Sequence, residues 1–535
     1  MIVLTDELLL NYKRCSRRTY LEVYGDETQK DPQKEFILKL RKENKLHIQE
    51  YIQEQGLTPQ RPQTVATNFR DTSYQDKVAA TIDLMAEGVA SIRSGWLALT
   101  GEQWQIGLTN SQLKPRPLVN TPTISATPAL ESNPQKWQLP PSSTPVTLIA
   151  NPTLLIKQPG KSCFGDWSYV PVNIKLGRRP KPEYKLIAAY HAQILAIAQN
   201  SFPDYSALIL RQQNEHHTNL NHWLYRARES VAHCLEMLCY QQEPEVFISR
   251  QKCNLCQWHS HCYQEASKQK HLSLVPGITP KRYDSLHHMG LSSLEEIAST
   301  NERTLGKRIG LEIARQLQQQ ARSLLLDIPL IRSNFKLEDS VLLPSNGIEL
   351  YFDIEAEPDR NLDYLLGILL VDRVNNRKQF YPFLAESAAE EEAIWHEFFE
   401  FVSQYPNSPV YHFSGYEVDT IKRLAGLYGT PRIPTKALLA RCVDIHQWVT
   451  RSVVLPVESY SLKSLANWLG FEWREETASG DQSVCWYDQW LTTQDRALLD
   501  AILSYNEDDC YATYYLKDWL EKFFLEAQQQ ASNLS

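Results

Sequence analysis

Glu349-Leu350-Tyr351-Phe352-Asp353-Ile354-Glu355 reads as a β-strand, because apolar and aromatic residues alternate with carboxylates along it. Alternate residues of a strand share one face, so Asp353 and Glu355 point the same way. Two carboxylates converging on one face are costly to hold together without a cation, and oxygen ligands of this kind suit Mg²⁺ or Mn²⁺. Taken alone, a D-x-E pair more often marks the solvated acidic face of an exposed strand, so its surroundings decide the reading.

Working outward, Ile348 to Ile354, Tyr364 to Val371 and Gln379 to Phe383 are three β-rich runs at short spacing, which predicts an antiparallel meander. Val410 to Phe413 reads as a fourth strand. Helices are expected at about Tyr416 to Tyr428, Ser461 to Leu469 and Gln494 to Phe524. In the last of these, Ser504-Tyr505-Asn506-Glu507-Asp508-Asp509 places Tyr505 and Asp509 on one helix face. Asp509 could ligate a metal and Tyr505 could position a water. Tyr411-His412-Phe413-Ser414-Gly415-Tyr416-Glu417 reads as a strand, a Gly turn and a helix opening, with Glu417 at the strand's end, where α/β sites collect catalytic groups. The alternative for Glu417 is a first-turn acid favoured by the helix dipole.

D-x-E, a mid-domain acid and Y-x-x-x-D, in that order, resemble the Tyr-type branch of the DEDD exonucleases, an RNase H-like superfamily. The resemblance covers residues 340–535 and is closest to the RNase H-like domains fused to RecB-like nucleases. It implies Asp353, Glu355, Glu417 and Asp509 as ligands of two Mg²⁺ or Mn²⁺ ions, Tyr505 as the water-orienting residue, and 3′–5′ polarity. The departure is Glu417, where the family's second motif has Asp. Asp444, in Val443-Asp444-Ile445-His446, is a further candidate.

Upstream, Cys253-x2-Cys256-x5-Cys262 supplies three thiols in ten residues, which suits a zinc knuckle completed by His259 or His261 as well as an iron–sulfur cluster with a fourth cysteine. Tyr12-Lys13-Arg14-Cys15-Ser16-Arg17-Arg18-Thr19-Tyr20-Leu21 resembles the first helix of RecB-like PD-(D/E)XK nucleases with an iron–sulfur staple. The resemblance extends to His47 and to the strand Tyr169-Val170-Pro171-Val172-Asn173-Ile174-Lys175. It implies [4Fe–4S] on Cys15, Cys253, Cys256 and Cys262, with Zn²⁺ as the alternative. The nuclease motif is damaged, since Asn173 stands where D/E-x-K needs a carboxylate before Lys175, and Asn151 to Leu155 lacks the preceding Asp, leaving Asp166 as the nearby substitute. His47, Asp166, Asn173 and Lys175 are therefore expected to form a degenerate site.

Val275-Pro276-Gly277-Ile278 with Leu286, Gly290 and Ile297 resembles a helix-hairpin-helix, in which Gly277 with Lys281 and Arg282 would meet a phosphate; two packed helices around a Gly turn are the plainer reading. The expected architecture is α/β multidomain. It comprises a RecB-like α/β domain at 1–262 with a Pro- and Ser-rich loop at about 110–145, an all-α helix-hairpin-helix region at 263–335 and an RNase H-like α/β exonuclease domain at 340–535. Fifty-five Lys and Arg against 63 Asp and Glu leave a net charge of −8, so nucleic-acid contact must be local rather than driven by a global basic field. No apolar run reaches membrane-span length, and the polar start lacks a signal peptide's apolar centre, so the chain is expected to be cytoplasmic. Nucleic acid is the expected partner, DNA ahead of RNA, with a helicase as a further candidate.

Overall fold

The computed structural model describes residues 1–63, 73–110, 113, 138–140, 144–336, 343–475 and 477–534. Most of the expected loop at 110–145 lies outside them. The chain forms two compact units, Met1–Val246 with Arg250–Cys262, and Phe247–Ser249 with Tyr263–Ser535.

The first unit holds two sheets. Strands β1 (Ile2–Thr5), β4 (Val146–Ala150) and β3 (Leu97–Thr100) make one, in the order β1-β4-β3; β2 (Ser91–Arg93), β5 (Leu154–Ser162), β6 (Gly165–Ile174), β7 (Ala207–Ile209) and β8 (Glu215–His217) make the other in numerical order. The Pro182–Ala198 helix opens on a Pro whose missing N–H costs nothing there. It is apolar on nearly every side and buried throughout Leu186–Ala196, as such a helix must be. A further helix spans Tyr74–Ala86. Gly88 turns the chain at φ +72°, and fully buried Ile92 belongs to β2.

The second unit opens with short helices, Pro280–His287, Leu294–Ser299 and Glu302–Ile309, and a longer one, Leu311–Leu326, packed around Leu286, Ile297, Leu305 and Leu317. β9 (Leu330–Ile331) follows. The principal sheet comprises β10 (Ile348–Glu357), β11 (Leu362–Asp372), β12 (Arg377–Leu384), β13 (Val410–His412) and β14 (Cys442–Asp444), in the order β12-β11-β10-β13-β14. The first three form the expected antiparallel meander, and β13 and β14 run parallel to β10. β15 (Val453–Val454) pairs back onto β9, and Gln320 donates to the Leu455 carbonyl at 2.7 Å, so the helical segment and the sheet domain share hydrogen bonds.

Two cores flank the sheet. Leu350, Phe352 and Ile354 of β10 join Trp395 and Phe398 in one, while Tyr351 joins Tyr411 and Tyr514 in the other. The Arg496–Leu534 helix serves both: Leu499 and Ile502 enter the first core, and Cys510, Leu516 and Phe524 the second. Tyr505 to Asp509 lie at this changeover, where a polar segment can face inward without displacing either apolar cluster.

Candidate active site

The pleat of β10 puts Asp353 and Glu355 in step with Tyr351, on the face met by the Arg496–Leu534 helix. Among the described residues, Asp353, Glu355 and Asp509 are the only group of three potential metal-ligating side chains whose ligand atoms all lie within 4.8 Å of one another. The structure thus brings three of the four expected ligands together. Glu417, buried in the first turn of the Tyr416–Leu427 helix, stands beside this trio and acts electrostatically on Asp353. Its Oε2 lies 3.5 Å from His412 Nδ1 without a well-directed hydrogen bond between them.

Several residues hold the trio. Asn506, wholly buried, donates Nδ2 to Asp353 Oδ2 at 2.7 Å and also hydrogen-bonds Glu355. Gly367 is the β11 partner of Asp353, and a Cβ there would overlap the Asn506 amide oxygen, so the missing side chain makes room for the amide. Trp473 Nε1 donates to Asp509 Oδ1 at 2.8 Å. Next to it, Arg474 reaches Asp508 through Nε and its backbone N–H, and Glu507 through Nη2, clamping this loop to the helix. Ser483 hydrogen-bonds Glu355 and shares a 2.6 Å hydrogen bond with Tyr364.

Burial, then the charges of Asp509, Glu355 and Glu417, push the Asp353 carboxyl well above the usual carboxylate range. Glu355 is raised by burial and by Asp509. Asp509 is raised by burial against the hydrogen bonds of Trp473 and Tyr505. Burial and the three carboxylates keep the Tyr505 phenol protonated far above its ordinary range. Oxygen donors with excess negative charge, beside a buried Glu417 whose Oε2 has only the 3.5 Å approach of His412, fit a site for hard divalent cations.

Asp444 caps the Ile445–Ser452 helix, accepting from Gln447 N–H at 3.0 Å and from Ser414 N–H at 3.2 Å. Ser414 adopts φ +107°, a strained conformation for a residue with a Cβ, in the turn leading to Glu417.

In the first unit, Asn173 Oδ1 lies 2.8 Å from His191 Nδ1, and His191 Nε2 lies 3.0 Å from Asp6 Oδ2. Burial pushes the Lys175 amine down, opposed by the Asp6 carboxylate. His47 is buried beside Leu210, the residue after β7, and the Lys175 N–H bonds Ile209 at 2.9 Å, so His47, Asn173 and Lys175 gather at one end of the sheet. Asp166 does not join them. It lies at the hairpin end of β6, nine residues from Lys175 and so about 30 Å away along the strand.

Cys15 links the Asp6–Arg14 and Ser16–Tyr24 helices, Cys253 ends the Arg250–Cys253 helix and Cys262 lies in the His259–Lys268 helix. Burial raises the Cys256 thiol, and pushes that of Cys262 up to about 11 against a hydrogen bond from Arg17; both sense Cys15. In the second unit Gly277 turns at φ +88°, Arg282 Nη1 folds back onto the Gly277 carbonyl at 2.6 Å, and Lys281 is exposed.

Asn506, Trp473, Ser483, Gly367, Asp6 and His191 were not expected from the sequence. Asn506 carried a signal, standing three residues before Asp509 on the same helix face. Trp473 and His191 meet their partners through tertiary folding alone.

Among curated proteins none matches the chain. The protein-family model described as the RNase H superfamily matches residues 350–521, a segment that contains Asp353, Glu355, Glu417, Tyr505 and Asp509. The chain therefore carries an RNase H superfamily domain, which points to a nuclease and to nucleic acid as its substrate.

Proposed function

We propose that Asp353, Glu355 and Asp509, with Glu417 beside them, form the centre of a two-metal 3′–5′ exonuclease using Mg²⁺ or Mn²⁺. The convergence of the three carboxylates within 4.8 Å carries this reading. Two bound cations would activate water, hold the scissile phosphate and stabilise the leaving 3′ oxygen. Asn506 and Trp473 each donate to one carboxylate oxygen and so fix the orientation of Asp353 and Asp509. Tyr505, held protonated, can donate to a water and orient it. The product is a nucleoside 5′-monophosphate, with DNA ahead of RNA as substrate. Residues 1–262 are read as a RecB-like fold whose own site is degenerate, because Asn173 is engaged by His191 and Asp166 is remote; residues 263–335 are read as a helix-hairpin-helix that adds phosphate contacts.

Digestion of end-labelled single strands tests this. A 3′ label should be released as mononucleotide at the first turnover, a 5′-labelled strand should shorten stepwise, and EDTA should abolish both. Lys175→Ala should retain full activity. No digestion of DNA or RNA by wild type would sink the reading, and loss in Lys175→Ala would move the chemistry to the first unit.

The donor set at Cys15, Cys253, Cys256 and Cys262 supports a [4Fe–4S] staple within the first unit. Cys256 and Cys262 each sense the Cys15 thiol electrostatically, which places the early cysteine near the late ones. The cluster would tie Cys15 to the late trio and so close a long loop; its role here is structural. Anaerobically purified protein should be brown with charge-transfer absorbance near 400 nm, whereas a colourless, zinc-loaded sample would overturn the assignment.

A further inference from the structure

A cavity of about 500 Å³ lies between the Leu311–Leu326 helix and the Ile445–Ser452 helix, both in the second unit. Arg332, Arg451 and Trp448 line it, with the amides of Gln316 and Gln447. Arg332 Nε is sealed from solvent and has no hydrogen-bond partner among the described residues. Among the described residues, neither Arg332 nor Arg451 forms an ion pair. The cavity's carboxylate, Glu312, accepts from Gln316 Nε2 at 3.4 Å.

Burying a guanidinium nitrogen without an acceptor is costly, so an anion that reaches Arg332 is favoured here. Two planar cations beside a half-buried indole and two amides match a phosphodiester with an attached base: the guanidiniums suit phosphate oxygens, and the indole offers a stacking face to any base. The volume is within the range of small-molecule sites and accommodates a nucleotide.

The wall is continuous with the metal centre. Gln447 donates its N–H to Asp444, and Asp444 acts electrostatically on Glu417. From Asp444 the helix rises about 1.5 Å per residue, which puts Arg451 about 10 Å beyond Asp444. We propose that this cleft holds the backbone phosphate and one base of a single strand, a few nucleotides from the end cleaved at the Asp353 centre. The position along the strand rests on the nuclease reading; the phosphate-and-base chemistry rests on the cleft.

Binding of a fluorescein-labelled 20-mer to the full chain, measured by anisotropy in an Asp353→Asn background that keeps the strand intact, is the test. Adding Arg451→Glu or Trp448→Ala should weaken binding at least tenfold. Arg451→Gln should lower the slope of log affinity against log salt by about one. In otherwise wild-type protein, none of the three should change hydrolysis of the p-nitrophenyl ester of thymidine 5′-monophosphate, which is too short to span both sites. Arg451 is exposed, so its variants should fold. Strand binding that survives Arg451→Glu and Trp448→Ala overturns the cleft and leaves the nuclease reading standing. Failure of the wild-type chain to bind or digest any strand overturns both.

Discussion

Asp353→Asn and Asp509→Asn should each lower divalent-dependent hydrolysis about 10³-fold or more, while the metal-free proteins melt no lower than wild type. Each amide removes one anionic ligand from a three-carboxylate centre, and a 10³-fold loss corresponds to about 4 kcal/mol of transition-state stabilisation. The stability half of the expectation has the opposite sign to most buried substitutions. Asp353 is crowded by Asp509, Glu355 and Glu417, and burial adds to that cost, so neutralising it relieves repulsion in the metal-free fold. Its carbonyl oxygen can still accept from Asn506. The raised folded-state pKa means that protonation favours the fold. Stability present below the unfolded carboxylate value, near ~4, is lost as pH rises through the raised one. In EDTA, wild type should therefore melt lower at pH 8 than at pH 5, and Asp353→Asn should flatten that dependence. Excess Mg²⁺ should restore wild type but not the variant, since an ion at 100 times its dissociation constant contributes about 2.7 kcal/mol. A variant that keeps its metal-dependent activity would remove Asp353 from the centre.

Why some of this was legible in the sequence and some was not follows from the range of the interactions involved. The D-x-E pair was legible because the strand period is two and β10 keeps it, with Leu350, Phe352 and Ile354 filling one core and leaving the carboxylates on the opposite face. Tyr505 and Asp509 were legible because the helix period is equally regular. Glu417 was harder: local pattern places it just after β13 and near His412, but its neighbour Asp444 comes from the sheet's parallel register, which only the assembled β13–β14 pair defines. The Trp473 clamp depends on a loop whose course no periodicity encodes, and Gly367 reads as an ordinary strand glycine until Asn506 is seen against it. Asp166 shows the converse limit. Closeness in sequence to Lys175 suggested a shared site, yet an unbroken strand converts nine residues into a long separation.

Lys517→Ala should cost about 3–5 kcal/mol in denaturant unfolding and should weaken metal binding at a site it does not touch. Lys517 is wholly buried, donates to Glu349 Oε1 at 2.7 Å, and also meets Glu521 at 2.8 Å. Glu349 is equally buried and takes a second cation from Arg373, with a hydrogen bond from Tyr351 at 2.7 Å. Burial alone would raise its carboxyl, but these partners outweigh that and hold it below the usual range. Removing Lys517 leaves the acid with Arg373, which it shares with Asp518, and the cost belongs toward the lower end of that range. The spacing explains the effect on the metal site. Glu349 precedes Asp353 by four strand residues, about 13 Å, and Lys517 follows Asp509 by eight helical residues, about 12 Å. The ion pair therefore fixes the helix against β10 in the one register that brings Asp509 opposite Asp353. Because Glu349 is depressed, its contribution should be present above the unfolded carboxylate value and lost as pH falls through the folded one. Glu349→Leu with Lys517→Met should recover most of the stability, as apolar replacements of buried pairs do, without recovering metal affinity to the same degree. Equal recovery of both would show that the pair contributes to stability alone and does not set the register of the carboxylates.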